Sequence, residues 1–355
     1  MSRFLAKRFN MLEAYTPGEQ PSNKKYIKLN TNESPYPPPE TFSDAIVNEF
    51  QKVNLYPNPD GNELIKKIAQ LYKVKQENVI IGNGSDELLA FAFLAFFEDG
   101  VIFPDITYGF YPVYAKLYDI PYTEVPLLDD LTINVNDYLS VNKNIVLANP
   151  NAPTGIALKL PEIESIIKSN PGHIVIIDEA YVDFGADSAI PLTKKYENLI
   201  VMHTFSKSRS MAGARLAFAV ASASVMEDMN KMKYSFNPYN VNRLTQVMGE
   251  AAIESEGIFI RNRENIISTR DYTKTRLKKL GFLMTDSMAN FLFCKHPDIG
   301  GGELYQRLKK SGILVRHWSK QRIMDYVRIT IGSEEQMDAL IKAVEKILIE
   351  VRSNQ

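Results

Sequence analysis

Between Val79 and Met202 short apolar runs alternate with helix-patterned segments, and no other feature of the 355 residues restricts the fold as strongly. Val79-Ile81 leads into a helix from Asp86, Val101-Phe103 into Phe110 to Leu117, and Ile145-Ala148 into Pro161 to Lys168; Ile174-Ile177 and Leu199-Met202 follow. Repeated βα units of this kind build an α/β fold, a mostly parallel sheet with helices on both faces. Ligands of such sheets bind beyond the carboxyl ends of the strands, so the residues just after each run are the ones to inspect.

The first run ends in Gly82-Asn83-Gly84-Ser85-Asp86-Glu87 with a helix at once after it. Free amides at a helix start, approached through glycines, form an anion cradle, although an ordinary turn capped by Asp86 has the same pattern. The dinucleotide spacing GxGxxG is not met. Tyr108 and Tyr111 follow the second run, and either can stack on a planar ring or fill the core. The third ends in Asn149-Pro150-Asn151-Ala152-Pro153-Thr154-Gly155, a rigid turn offering an amide toward the strand ends. The fourth runs into Asp178-Glu179-Ala180-Tyr181, which sets a carboxylate at a buried edge where it needs a cation: a pyridinium nitrogen, an arginine or a metal. The last delivers Thr204, Ser206, Lys207, Ser208 and Ser210, then Arg215 after small residues. Hydroxyls, amides and a fixed cation suit a phosphate monoester, and a lysine amine suits an aldehyde. Pyridoxal 5′-phosphate carries both groups; a solvated serine-rich loop is the competing reading. Asp178 and Lys207 stand at successive strand ends, so their side chains can converge on one ligand.

Outside this alternation the chain is less regular. Residues 1–39 read as an N-terminal arm with a short strand from Lys24 to Leu29 and a Pro-rich stretch from Asn30 to Pro39, from which Tyr15, Asn32 and Tyr36 can lie over a site. Tyr56-Pro57-Asn58-Pro59-Asp60-Gly61 forces a turn between two helical patterns. Residues 40–245 form the expected large domain. Residues 246–355 form a smaller α+β domain, which begins in a helical region to about Lys279 and carries Arg316 and Arg328 on its strands. Inward-facing arginines require anions, whereas outward ones pair with surface carboxylates.

A formal net charge of −1 gives no pull toward nucleic acid or an anionic membrane, which leaves small molecules or a second copy as partners. Leu88 to Phe97, the most apolar stretch, is about half the length of a membrane span and reads as a buried helix. No secretory signal pattern opens the chain, so the cytoplasm is the expected location. One cysteine and four scattered histidines give neither a disulfide framework nor a metal cluster.

Asn-Pro-Asn-Ala-Pro-Thr-Gly, then Asp178-Glu179-Ala180-Tyr181, then Ser206-Lys207 with Arg215, in that order, resemble the fold-type-I pyridoxal-phosphate-dependent aminotransferases. Tyr15-Thr16-Pro17-Gly18, Leu29 to Tyr36, Tyr56-Pro57, Pro238 to Asn242 and Tyr326 to Gly332 extend the resemblance over nearly the whole chain. The resemblance implies that Lys207 joins the cofactor aldehyde and later carries a proton, Asp178 pairs with the ring nitrogen, Tyr181 donates to the ring oxygen and Tyr108 stacks on the ring. It implies a phosphate held by Gly84, Ser85, Asp86, Thr204, Ser206 and Arg215, and by Tyr56 from the neighbouring subunit of a homodimer. Relatives carry Asn directly before Pro-Thr-Gly where this chain has Ala152, so Asn151 is the expected substitute donor. For substrate, Arg328 would take the carboxylate on the reacting carbon and Arg316, with Tyr15, a distal anion, and Asn32 would also bind substrate. The implied reaction moves an amino group between a phosphorylated amino alcohol bearing an imidazole and 2-oxoglutarate. The same scaffold also suits an aromatic aminotransferase or a decarboxylase of a phosphorylated amino acid, and the residues alone also allow a non-catalytic phosphate binder.

Overall fold

A computed structural model describes residues 2–10, 12–21 and 24–353. Positions 1, 11, 22 and 23 of the expected arm, and 354–355 of the expected C-terminal domain, lie outside the described residues. In chain order the elements are β1 (Ile27–Lys28), α1 (Thr41–Phe50), α2 (Asn62–Tyr72), β2 (Val79–Gly82), α3 (Ser85–Phe96), β3 (Val101–Pro104), α4 (Tyr111–Leu117), β4 (Tyr122–Val125), β5 (Asn144–Ala148), α5 (Leu160–Ser169), β6 (Val175–Asp178), β7 (Leu199–Thr204) and β8 (Ala217–Val220). After them come α6 (Ala223–Phe236), α7 (Arg243–Glu254), α8 (Glu256–Lys279), β9 (Leu283–Met284), β10 (Phe291–Lys295), α9 (Gly301–Lys310), β11 (Ile313–Leu314), β12 (Arg316–His317), β13 (Val327–Thr330) and α10 (Glu334–Ser353).

The main sheet has seven strands in the order β2-β8-β7-β6-β5-β3-β4, with only β8 reversed. Its strands are continuous apolar runs because both faces are covered. Val175 and Ile177 of β6 pack into one core with α2, α5 and α7, while Ile176 packs into a second core with α3, α4 and α6. The α/β fold expected from the alternation is thus observed. The Leu88 to Phe97 stretch lies in α3 and its capping residue, with Leu88, Leu89, Phe91, Ala92 and Phe93 buried and Leu94 half exposed. No helix among the described residues is long and apolar enough to cross a membrane.

A second, antiparallel sheet, β12-β13-β10-β9, packs with α9 and α10 around its own core. The arm is tied to this unit: Ile27 and Lys28 pair in parallel with Ile313 and Leu314. The strand begun at Ile313 ends at Leu314, and after buried Val315 a strand of the other sheet starts at Arg316. Strands β4 and β8 carry weak signals in the sequence. Half of β4 is exposed at the sheet edge, and β8 reads only Ala-Phe-Ala-Val.

Candidate active site

The reversed strand assembles the site. In the register Gly82 lies opposite Ala217, and Ala217 opposite Thr204, so the start of β8 meets the ends of β2 and β7 at one sheet edge. Arg215, two residues before β8 and in the left-handed region at φ 57°, is thereby set beside the Gly84 turn and the Thr204 hydroxyl. On the other side of β7, Asp178 is level with Ala148 and Met202.

A cavity of about 360 Å³ at this edge is lined by Ser85, Asp86, Asp178, Thr204, Ser206 and Arg215, among others. It joins a second cavity of about 300 Å³ that opens between the two units and contains Tyr15, Asn32, Arg316, Trp318 and Arg328. Thr31, Tyr108, Ala152, Tyr181 and Lys207 line both, so the lysine stands at the junction. Its Nζ donates to Thr31 O at 3.4 Å and lies 5.9 Å from the Tyr181 ring centroid.

Asp178 is 5% exposed. Burial pushes its carboxyl up to about 6, against the pull of a 3.0 Å hydrogen bond from Tyr111 Oη and one from the Ala180 amide. Among the described residues it has no salt-bridge partner, so its one unmet requirement is a cation on the cavity side. Tyr181 Oη accepts from Asn32 Nδ2 at 2.9 Å, which leaves its own proton free to donate. Asn32 holds a left-handed backbone at φ 56° and exchanges hydrogen bonds with Thr330 through its own amide and Oδ1.

On the opposite wall, Gly84 at φ 81° opens α3. A Cβ there would stand 2.4 Å from Arg215 Nη2, so only glycine lets the guanidinium reach the helix start. Asp86 accepts from Arg215 at 3.1 Å and from Tyr108 Oη at 2.7 Å. Its carboxylate orients the arginine, while the first amides of α3 remain for an anion. Thr204 Oγ1 and Ser206 Oγ are 2.9 Å apart and buried.

In the outer cavity Arg316 and Arg328 are directly opposed across β12 and β13. Neither forms a salt bridge among the described residues, and like charges so placed are unfavourable until an anion joins them. Arg316 donates to Thr16 O and Pro17 O of the arm at 3.1 and 3.2 Å. Arg328 donates to Asn30 O at 2.9 Å, and its buried Nε has no partner. Desolvation lowers the Arg328 pKa. Tyr15 lies against Phe110 and Tyr108, with ring centroids 4.6 and 6.2 Å apart, and burial raises its pKa.

Two expected residues are not part of this assembly. Tyr56 is 77% exposed, stacks on Tyr239 and lines neither cavity. The expectation for Asn151 is corrected. Its Nδ2 donates to Ile106 O at 2.9 Å and to Thr154 Oγ1 at 3.2 Å, and its Oδ1 accepts from Thr107 at 2.7 Å. Both of its N–H donors are thus engaged, one on the neighbouring loop and one within its own turn, and Ala152 lines the cavity instead. Thr31 and Trp318, to which the sequence assigned no role, also line the cavities, and buried Thr330 holds Asn32. The signals available were Thr31's place between Asn30 and Asn32, and the two-residue spacing of Trp318 and Thr330 from Arg316 and Arg328.

The aminotransferase class I and II family matches residues 24–344. The histidinol-phosphate aminotransferase of Brachyspira hyodysenteriae is 48% identical over 352 residues, covering 98% of this chain and 99% of that protein. This chain belongs to the class I and II aminotransferases. The histidinol-phosphate aminotransferase of Clostridium botulinum strain Okra is similar to this aminotransferase at 42% identity, over 98% of the chain and 99% of its own length. In fold, the aminotransferase resembles a Sinorhizobium meliloti histidinol-phosphate aminotransferase in complex with pyridoxal-5′-phosphate, with a TM-score of 0.88, 21% identity and full coverage of both chains.

The residues of this aminotransferase fit pyridoxal phosphate. A buried carboxylate without a cation, a lysine at the cavity junction and a glycine-opened helix start with an arginine and hydroxyls face one cavity. These match a ring nitrogen, an aldehyde and a phosphate respectively.

Proposed function

We propose that this chain transfers the amino group of L-histidinol phosphate to 2-oxoglutarate, giving imidazole acetol phosphate and L-glutamate in histidine biosynthesis, with pyridoxal phosphate as cofactor. The observation that carries the reading is the opposed pair Arg316 and Arg328, without a carboxylate partner among the described residues, in the cavity that Lys207 joins. Two guanidinium groups side by side match a phosphate dianion, and each can also take a carboxylate through paired hydrogen bonds. The curated relatives named above, both histidinol-phosphate aminotransferases at 42% identity or more, support the same substrate.

Bound pyridoxal phosphate supplies an electron sink for the charge left when the substrate carbon loses its proton. Lys207 Nζ would hold the aldehyde carbon until the substrate amine takes its place, and as a free amine would then move the proton at the substrate carbon that carries the nitrogen. Asp178 keeps a proton on the ring nitrogen. Tyr181 donates its free proton to the ring oxygen, and Tyr108 covers one ring face. The α3 amides, the Ser85, Thr204 and Ser206 hydroxyls and Arg215 bind the phosphate. Tyr15, on the arm, excludes water from above and donates to the substrate anion together with Arg316, while Asn32 acts through Tyr181.

The same reading makes the protein a homodimer in which Tyr56 reaches the partner's phosphate site. Its support is the exposed apolar surface around that tyrosine, which includes Phe50, Val53, Leu55 and Tyr239. Single-turnover absorbance changes with L-histidinol phosphate, phenylalanine and threonine phosphate test the function. Fastest conversion of the first is expected; preference for phenylalanine would move the protein to the aromatic aminotransferases.

A further inference from the structure

One hydroxyl beside the site has no role in the reaction just described. Tyr111, the first residue of α4, is fully buried with its ring in the core under the sheet. Its Oη donates to Asp178 Oδ2 at 3.0 Å and makes no other hydrogen bond among the described residues. The Ala180 amide donates to the other oxygen, Oδ1, at 3.2 Å. The carboxylate is therefore gripped at both oxygens by groups that cannot turn away, one from α4 and one from the loop after β6. Its charged neighbours are opposed in effect: Asp86 of α3 disfavours the ionised form, and His203 of β7 favours it. Burial next to Asp178 holds the Tyr111 hydroxyl far above its ordinary pKa, so it is a proton donor throughout the working range.

We propose that Tyr111 is a positioning residue that acts through Asp178, keeping its carboxylate ionised and aimed at the ring nitrogen of the cofactor. The inference rests on the pyridoxal-phosphate reading of the site. A donor aimed at the charged form of a buried acid opposes its desolvation, and no arginine or lysine does so here. Removing that one hydroxyl while keeping the ring should let the carboxyl take up a proton near neutrality, and a neutral acid cannot hold a proton on the ring nitrogen.

Tyr111→Phe in the full chain tests this through ¹³C NMR of labelled aspartate, with Asp178 assigned by its disappearance in Asp178→Asn. A lost hydrogen bond to a charged group corresponds to a tenfold to hundredfold change in the ionisation equilibrium, so the carboxyl should titrate about one to two pH units higher. Pyridoxal phosphate affinity, followed by absorbance, should fall about twofold to tenfold near pH 7, with the gap closing as pH rises. An unmoved titration, or a loss of affinity independent of pH, overturns the proposal and leaves Tyr111 a packing residue. Should the variant not fold, the wild-type Tyr111 hydroxyl proton, observed by NMR, decides the matter. A resonance that shifts as Asp178 titrates supports the proposal, and one that does not move overturns it. Failure of the underlying reading looks different: wild type would then bind no pyridoxal phosphate, or Asp178→Asn would bind it as wild type does.

Discussion

Asp178 sets function against stability within one side chain. Its folded carboxyl titrates at about 6 because burial disfavours the charge, well above the ordinary 3.8. The folded chain thus binds more protons than the unfolded one between about pH 4 and pH 6, and stability falls as pH rises through that window. By linkage the loss is on the order of 3 kcal/mol, and it persists above pH 6 until a cation is bound. Asp178→Asn is therefore expected to raise the melting temperature of the cofactor-free chain at pH 7.5, relative to pH 4, while weakening pyridoxal phosphate binding; calorimetry with and without cofactor measures both. Lys207→Ala should leave the melting curve nearly unchanged and abolish turnover, since among the described residues the amine makes only one long hydrogen bond, to Thr31 O. Near-normal transamination by that variant would remove the proposed chemistry.

Two elements decide where the anions go. Strand β8 runs against its neighbours, and this reversal carries Arg215 to the start of α3, over a glycine that has no room for a Cβ. Gly84→Ala combines that collision with a left-handed φ, so pyridoxal phosphate affinity should drop by about tenfold or more even though the sheet is untouched. The β12–β13 pair does the equivalent for substrate. Arg328 is buried with an unpartnered Nε, whereas Arg316 also secures the arm through Thr16 and Pro17. A dianion engages both, and a single carboxylate is served by Arg328. Arg316→Ala should raise KM for histidinol phosphate by an order of magnitude or more and KM for glutamate less, and Arg328→Ala should impair both, in steady-state assays of each half-reaction.

At the scale of the whole molecule, the arm and the loop after β12 span the cleft between the two units. Tyr15 packs on Phe110 of the large unit while Arg316 holds the adjoining carbonyls, and Arg322 pairs with Asp105 at 3.0 Å. The outer cavity is thus walled by both units and roofed by the arm. Tyr56 lines no part of this enclosure in its own chain, and the proposed dimer would give it a use. Mixing inactive Tyr56→Ala with inactive Lys207→Ala should restore roughly a quarter of wild-type activity, because half of randomly formed dimers regain one intact site. No recovery after mixing, with subunit exchange confirmed by sedimentation, would place Tyr56 outside the reaction.

The sequence by itself determined the parallel alternation, and with it the strand ends where Asp178, Tyr181, Thr204, Ser206 and Lys207 stand. These follow from local periodicity, because a fully buried strand must be apolar until the residue where it meets the ligand. Tertiary structure decided what depends on pairing between distant segments. Strand β8 has too few and too small side chains to announce a direction, and β1 is two residues whose partner lies at Ile313. The opposition of Arg316 and Arg328 is a matter of register, which a linear reading cannot supply. Asn151 shows the same limit at one residue: its motif offers an amide, but whether that amide faces the cavity or its own loop depends on Ile106 and Thr107, more than forty residues away in the chain. Tyr111 is the converse. In the sequence it is one of two tyrosines suited to a ring face, and only the packing of α4 under the sheet turns its hydroxyl onto Asp178.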